Sequence, residues 1–209
     1  LFVQFAGTAF LVGMTCVVFS QYHYTMSKDL GYNMERLASV YDSYEHVDNT
    51  LSLLHNLPYV EGAATAEAGM LGFPSPYPVN DNSGNMIFSP RLTFFDREFF
   101  NFIGMRLKTG KAPTAEGEIL VNEEFVRAMK WDNNGVGEYV PEHGTVTGIL
   151  DGFRFIDAAQ MEPVEIRWSS GRGNVMHVRL KEPFDDNLKR LNEKMKKLYP
   201  QDNVQFTSY

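Results

Sequence analysis

VMHVRLKEPFDDNLKRLNEKMKKLYP, from Val175 to Pro200, is the stretch whose reading decides the fold. Val175 to Leu180 is rich in apolar and β-branched side chains and reads as a strand. From Phe184 the period changes. Phe184, Leu188, Leu191, Met195 and Leu198 fall at i, i+4, i+7, i+11 and i+14, one unbroken apolar stripe along an amphipathic helix. Pro183 suits the first turn, Asp185 and Asp186 the positive end of the helix dipole, and Pro200 lies beyond the stop. Lys194, Lys196 and Lys197, the only dense basic cluster in the chain, sit in the last turns, where cations favour the dipole. They are read as helix chemistry, not as a binding site.

Working outward, Val164 to Trp168 reads as a strand joined to Val175–Leu180 by the turn Ser169-Ser170-Gly171-Arg172-Gly173, and Val204 to Thr207 as a closing strand. The C-terminal part is therefore a β-β-α-β unit. The N-terminal part supplies its complement. Leu37 to Tyr41 reads as a strand, Tyr44, Val47, Leu51 and Leu54 recur at helical spacing, Pro58 ends that helix, and Tyr59 to Ala64 returns as a strand. Between these units the texture changes. Residues 72–90 are rich in Gly, Pro, Asn and Ser. Asp96 can cap a short helix through Ile103, stopped at Gly104. Glu118 to Val121 and Thr145 to Leu150 read as strands, and Asn122 can cap a helix ending near Trp131. The expected fold class is α+β, a two-lobed ectodomain. One lobe (36–68 plus 161–209) is built from both chain ends, and the other (69–160) is a mixed α/β insertion.

Ahead of this core, Leu1 to Ser20 carries no charge, and Gln4 is its only strongly polar side chain. At about 1.5 Å per residue such a helix is roughly 30 Å long, the thickness of a bilayer's hydrocarbon core. There is no Met start or basic flank, and the apolar run goes on past Cys16 through Val17, Val18 and Phe19, which favours a membrane span over a signal peptide, with a buried core helix the other alternative. The expected organisation is a transmembrane helix over 1–22, truncated at its start, a stalk and linker over 23–35, and an extracytoplasmic core over 36–209. Tyr22 and Tyr24 fall where aromatic rings settle at the interface, and Gly31 offers a helix stop. The net charge of −7 and the lack of a basic run argue against nucleic acid as a partner. Cys16 is the only cysteine, so no intramolecular disulfide forms.

No catalytic signature emerges. Gly104 to Lys111 is one residue too long for a phosphate loop, and Ala112 stands where Ser or Thr would hold magnesium. His23, His46, His55, His143 and His177 show no i, i+3 or i+4 pair, so no metal site is expected. Ser169 and Ser170 lie in a turn without the strand-to-helix elbow of a nucleophile. Glu123 and Glu124, like Asp185 and Asp186, belong to first helical turns. Catalytic, cofactor and metal residues are therefore all expected to be none. Phe94, Phe95, Phe99, Phe100 and Phe102 form a dense aromatic cluster within 94–102, read either as core of the middle lobe or as an apolar contact surface for a partner or amphipathic substrate.

The order of segments resembles a known family. The apolar run leads into Lys28-Asp29-Leu30-Gly31-Tyr32-Asn33, then Asn56-Leu57-Pro58-Tyr59-Val60-Glu61-Gly62. Phe95-Asp96-Arg97-Glu98-Phe99-Phe100 precedes Ile103 to Lys111. Glu118-Ile119-Leu120-Val121-Asn122-Glu123-Glu124-Phe125, Val146-Thr147-Gly148-Ile149-Leu150 and Lys197-Leu198-Tyr199-Pro200 complete the series. Together these resemble the extracytoplasmic (periplasmic) core domain of an FtsX/MacB-type ABC transporter permease. One departure is that Gly152 stands where the family commonly has an aspartate, with Asp151 one residue earlier.

The resemblance implies a non-catalytic domain in the bacterial inner membrane, facing the periplasm. It implies ATP hydrolysis on a separate cytoplasmic ABC ATPase subunit, a second permease copy or half, and a periplasmic partner or amphipathic substrate. The alternatives are an extracytoplasmic sensor domain of a signalling receptor and a membrane-anchored hydrolase.

Overall fold

The computed structural model describes residues 2–26, 29–41, 46–67, 74–81, 83–155, 161–169, 173–202 and 204–209, with the side chains of 2–5 and 21–26 outside that set. The first helix, α1, runs Phe2–Met26. Its side chains from Ala6 to Ser20 are all exposed, Phe10, Leu11, Val18 and Phe19 among them. That stretch is shorter than a bilayer core, so among the described residues no helix is long and apolar enough to cross a membrane. The span expected over 1–22 reaches beyond it, as do the side chains of Tyr22, Tyr24 and His23.

The two chain ends build one four-stranded sheet. β1 (Leu37–Tyr41), α2 (Val47–His55) and β2 (Val60–Ala66) come from the N-terminal part, and β12 (Val175–Leu180), α5 (Phe184–Leu198) and β13 (Thr207–Ser208) from the C-terminal part. The strand order is β13-β1-β12-β2 with every pair antiparallel. β12 thus lies between β1 and β2, the interleaving of a split β-α-β unit. The stripe on α5 buries Leu191 and Met195 fully, with Phe184 and Leu188 packed beside them, against Ala38, Val40, Met176 and Val178. It does not run to its expected end: Leu198 is 48% exposed, and Tyr199 takes its place against the core.

The expected closing strand over Val204–Thr207 is also corrected. Among the described residues only Thr207 and Ser208 pair with β1, and Asn192 on α5 holds Phe206 before them. Its Nδ2 donates to the Phe206 carbonyl at 2.9 Å, and its Oδ1 accepts from the Phe206 N–H at 2.8 Å.

The middle of the chain supplies β3 (Ser75–Pro76), a β4–β5 hairpin (Val79–Asn80 and Met86–Phe88), β6 (Arg91–Phe95), α3 (Arg97–Phe102) and β7 (Leu107–Gly110). It continues with β8 (Glu118–Val121), α4 (Glu123–Met129), β9 (Tyr139–Val140) and β10 (Gly144–Leu150). The expected caps are in place. Asp96 accepts from the Phe99 N–H at 2.6 Å and Asn122 from the Phe125 N–H at 3.0 Å.

The second sheet runs β3-β6-β11-β8-β10-β7, with β9 on β10. Its central strand, β11, is Val164–Trp168. This corrects the expectation that Val164–Trp168 pairs with Val175–Leu180. β11 lies parallel to β6 and antiparallel to β8 instead. The reason lies partly in Asn122, whose Oδ1 also accepts from the Val164 N–H at 3.0 Å while its Nδ2 donates to the Glu162 carbonyl. One side chain fixes both the start of α4 and the start of β11. Of the expected turn over 169–173, residues 170–172 lie outside the described residues, as does Tyr44.

Candidate functional site

The segment that follows α1 meets both sheets, and each contact can be read from residue chemistry. Gly31 has φ +82°, a conformation that costs an L side chain energy. A Cβ there would also lie 2.7 Å from the Asp151 carbonyl oxygen and from the Phe153 nitrogen. Only glycine lets the chain turn while pressed on the end of β10. Asp29 folds back on this turn, its Oδ1 accepting from the Gly31 N–H at 2.9 Å. Arg106, just before β7, donates to Asp29 and lies 3.7 Å from Asp151. The Arg106 guanidinium, with the Gly31 N–H, lowers the Asp29 carboxyl below its ordinary value. Backbone bonds complete this side: Arg154 N–H to the Leu30 carbonyl, Asn33 N–H to Ile103, and Arg106 N–H to Gly31.

A few residues later the same segment is gripped by the other sheet. Arg179 of β12 donates through Nη1 to the Glu35 carbonyl at 2.8 Å and through Nη2 to the Asn33 carbonyl at 3.0 Å. It also reaches the Phe102 carbonyl at 3.4 Å, with its guanidinium 5.5 Å from the centre of the Phe102 ring. Burial lowers its pKa from the ordinary arginine value, yet the group stays a cation at any working pH. Arg36 answers in reverse, donating to the Leu180 carbonyl at 3.0 Å and pairing with Glu61 at 2.9 Å. Residues 29–36 are therefore bonded to the residues just before β7, just after β10 and at the end of α3 on one side, and to β12 and β2 on the other.

The aromatic cluster of 94–102 lies in this joint. Phe95 and Phe99 are buried in one core cluster with Leu37, Ala64 and Ala66 of the first sheet and Leu120, Leu150 and Ile166 of the second. Phe100 and Phe102 pack against that cluster, and Phe94 is half-buried. For Phe95 and Phe99 the core reading holds, with the correction that the core is shared between the sheets rather than internal to the middle of the chain. Asp96, which starts α3 here, has its carboxyl pushed up by burial, opposed by the Phe99 and Glu98 N–H groups. His177 of β12 faces the Phe99 ring at 4.9 Å, and burial depresses its pKa to about 3. It is a neutral part of the joint.

The other residues singled out from sequence do not converge. His46 pairs with Asp202 at 3.1 Å, His55 lies 4.0 Å from Glu98, and His143 is buried against Glu165. Among the described residues no three His, Cys, Asp or Glu side chains are grouped to hold a metal. Leu107–Gly110 is a strand paired with β10, so Gly104–Lys111 forms no phosphate cradle. Glu123 pairs with Lys108 and Glu124 with Arg127, while Asp185 and Asp186 sit in the first turn of α5 and Lys196 and Lys197 in its last. A cleft of about 770 Å³ between α5 and residues 200–202, 204 and 205 is lined by charges of both signs, Asp185, Lys189, Glu193 and Lys196 among them. It brings together no nucleophile and base. Sequence reasoning missed Arg36, Arg106 and Arg179, since no local pattern marks an arginine whose partners, carboxylates or backbone carbonyls, are distant in sequence.

No protein-family model matches the chain, and no curated protein matches its sequence. Its structure is similar to that of the periplasmic region of MacB from Actinobacillus actinomycetemcomitans. The TM-score is 0.56 at 13% identity, covering 88% of this chain and 94% of that one. It is also similar to the extracellular domain of the noncanonic ABC-type transporter YknZ from Gram-positive bacteria, with a TM-score of 0.53 at 8% identity over 82% of this chain and 98% of the other. The fold expected from the FtsX/MacB resemblance is thus the fold observed.

Proposed function

We propose that this chain is the extracytoplasmic domain of an ABC transporter permease. In this reading the apolar helix α1 anchors it in the bacterial inner membrane, and residues 29–36 transmit movement of that helix to both sheets. The observation that carries the reading is the double grip on the linker. Arg106 and the end of β10 hold Asp29 to Asn33, while Arg179 and Leu180 hold Asn33 to Arg36. Residues 29–36 belong to the bonded body of the domain, so movement delivered at Asp29 passes to both sheets.

The domain itself performs no chemistry in this proposal. ATP hydrolysis belongs to a separate cytoplasmic subunit, a second permease copy or half completes the assembly, and the domain handles a substrate or a periplasmic partner. The likeness to MacB and YknZ domains supports the general kind. The test is Arg179→Met in the full-length parent, which keeps an unbranched stem but removes the donors to Asn33 and Glu35. Transport is expected to fall while the domain stays folded and ATPase assembly is unchanged. Undiminished transport in that variant, and in Gly or Pro variants across Tyr24 to Lys28, would remove the coupling role.

A further inference from the structure

The cleft beside α5 takes no part in the linker joint, and the charges on its helical wall form a pattern. Asp185, Lys189, Glu193 and Lys196 fall at i, i+4, i+8 and i+11, one face of the helix next to the stripe that meets the core, and all four are exposed. Their signs alternate along the helix: negative, positive, negative, positive. Charges four residues apart on a helix can pair with each other, yet among the described residues none of the four stands in an ion pair. The opposite wall does not answer them either. Its one charge among the described residues, Asp202, is bonded to His46 at 3.1 Å. Leu188 and Val204 give the cleft some apolar lining.

We propose that this face of α5 docks the α5 of a second copy of the chain, lying antiparallel across it. Read backwards, the pattern becomes positive, negative, positive, negative, which is its own complement. Asp185 then meets Lys196 of the other copy and Lys189 meets Glu193. Both pairings centre on the same turn, at Arg190 and Leu191, and a two-fold axis repeats each of them, as a contact between identical patches requires. Other arrangements are opposed. Parallel helices would set every charge against its own kind. An antiparallel slip of one turn would set Asp185 against Glu193 and Lys189 against Lys189, and like charges face to face cost affinity. The pattern thus specifies one orientation and one register, and its self-complementarity selects a second copy over an unrelated partner. Exposed ion pairs are each weak, and one helix face is smaller than the interface of a stable soluble dimer. The contact therefore acts between copies held in one membrane, where confinement raises their effective concentration; in this it rests on the reading that α1 is an anchor.

The test uses two double variants of the full chain, Asp185→Lys with Lys189→Glu and Glu193→Lys with Lys196→Glu. Each keeps the net charge. Each alone turns every proposed pairing into a repulsion, and a mixture of the two restores them all. Chains labelled at the C-terminus with donor or acceptor dye are bound to phosphatidylcholine vesicles, and energy transfer is followed as the protein-to-lipid ratio rises. The unsubstituted chain is expected to reach half-maximal transfer at a ratio about tenfold lower than either variant alone, the combined weight of several exposed pairs, and the mixture is expected to match the unsubstituted chain. Transfer that the variants leave unchanged, or that mixing does not restore, would overturn the docking. Flotation of the vesicles reads the anchor separately. Chains that fail to float would defeat the anchoring reading alone, and the same variants mixed in solution at higher concentration would then decide the docking by the same loss and recovery. If a double variant fails to fold, the mid-helix single variants Lys189→Glu and Glu193→Lys, each alone and then mixed, decide it in the same way.

Discussion

His177 is the residue at which the joint between the sheets meets pH. Its folded pKa of about 3 lies below the value of about 6.5 expected in an unfolded chain. Between those values the unfolded chain takes up a proton that the folded one refuses. Stability therefore falls as the pH drops through this window, by up to about 1.4 kcal/mol per unit. Nδ1 lies 3.4 Å from the Tyr209 hydroxyl, and Nε2 has no partner among the described residues, so an apolar ring suits the site. His177→Phe should flatten the loss of urea midpoint between about pH 6.5 and about pH 4.5; an unchanged acid slope would put the titrating group elsewhere. At the same scale, Gly31→Ala places a Cβ on backbone atoms in a conformation that disfavours one. A cost of about 2–4 kcal/mol is expected, read by thermal unfolding, and a loss under about 0.5 kcal/mol would mean the turn yields.

At the scale of elements, two asparagine-and-aspartate caps make a controlled comparison. Asp96 bonds only N–H groups at the start of its own helix, so Asp96→Ala should cost about 1 kcal/mol. Asn122 satisfies the start of α4 and also bonds Val164 and Glu162, so Asn122→Ala should cost about 2–3 kcal/mol. Equal costs would mean the bonds to β11 contribute nothing. Both caps were legible in the sequence because a cap is a local event, a polar residue with a partner three positions on. The placement of β11 was not. Val164–Trp168 and Val175–Leu180 are neighbours along the chain with a Gly-rich turn between, and that reads as a hairpin. The choice between sheets rests on contacts more than 40 residues apart in sequence, such as Asn122 with Val164. β12 shows the reverse case: its strand character, the α5 stripe and the joining of both chain ends could all be read from period alone. The α5 stripe erred only at Leu198, where the helix leaves the core.

At the scale of the whole molecule, the joint around Phe99 is what makes the sheets a single body. Phe99 is fully buried between residues from both, so Phe99→Ala should cost about 3–5 kcal/mol. Hydrogen exchange should then rise in α3 and β2 together; a loss confined to α3 would mean that the sheets are held by other contacts. The sequence signalled an aromatic cluster here but not its position, because Phe periodicity carries no record of which sheet lies opposite. The grip on residues 29–36 was equally hidden, since Arg106, just before β7, and Arg179, on β12, come together only in the fold. These contacts carry the central claim, that the domain serves as the outer part of a transporter driven through α1. The measurement that tests it most directly is purification of the full-length parent from membranes under mild cross-linking, with identification of what accompanies it. The account predicts a stoichiometric cytoplasmic ABC ATPase. A kinase or response regulator in its place, or no ATPase in repeated preparations, would contradict it.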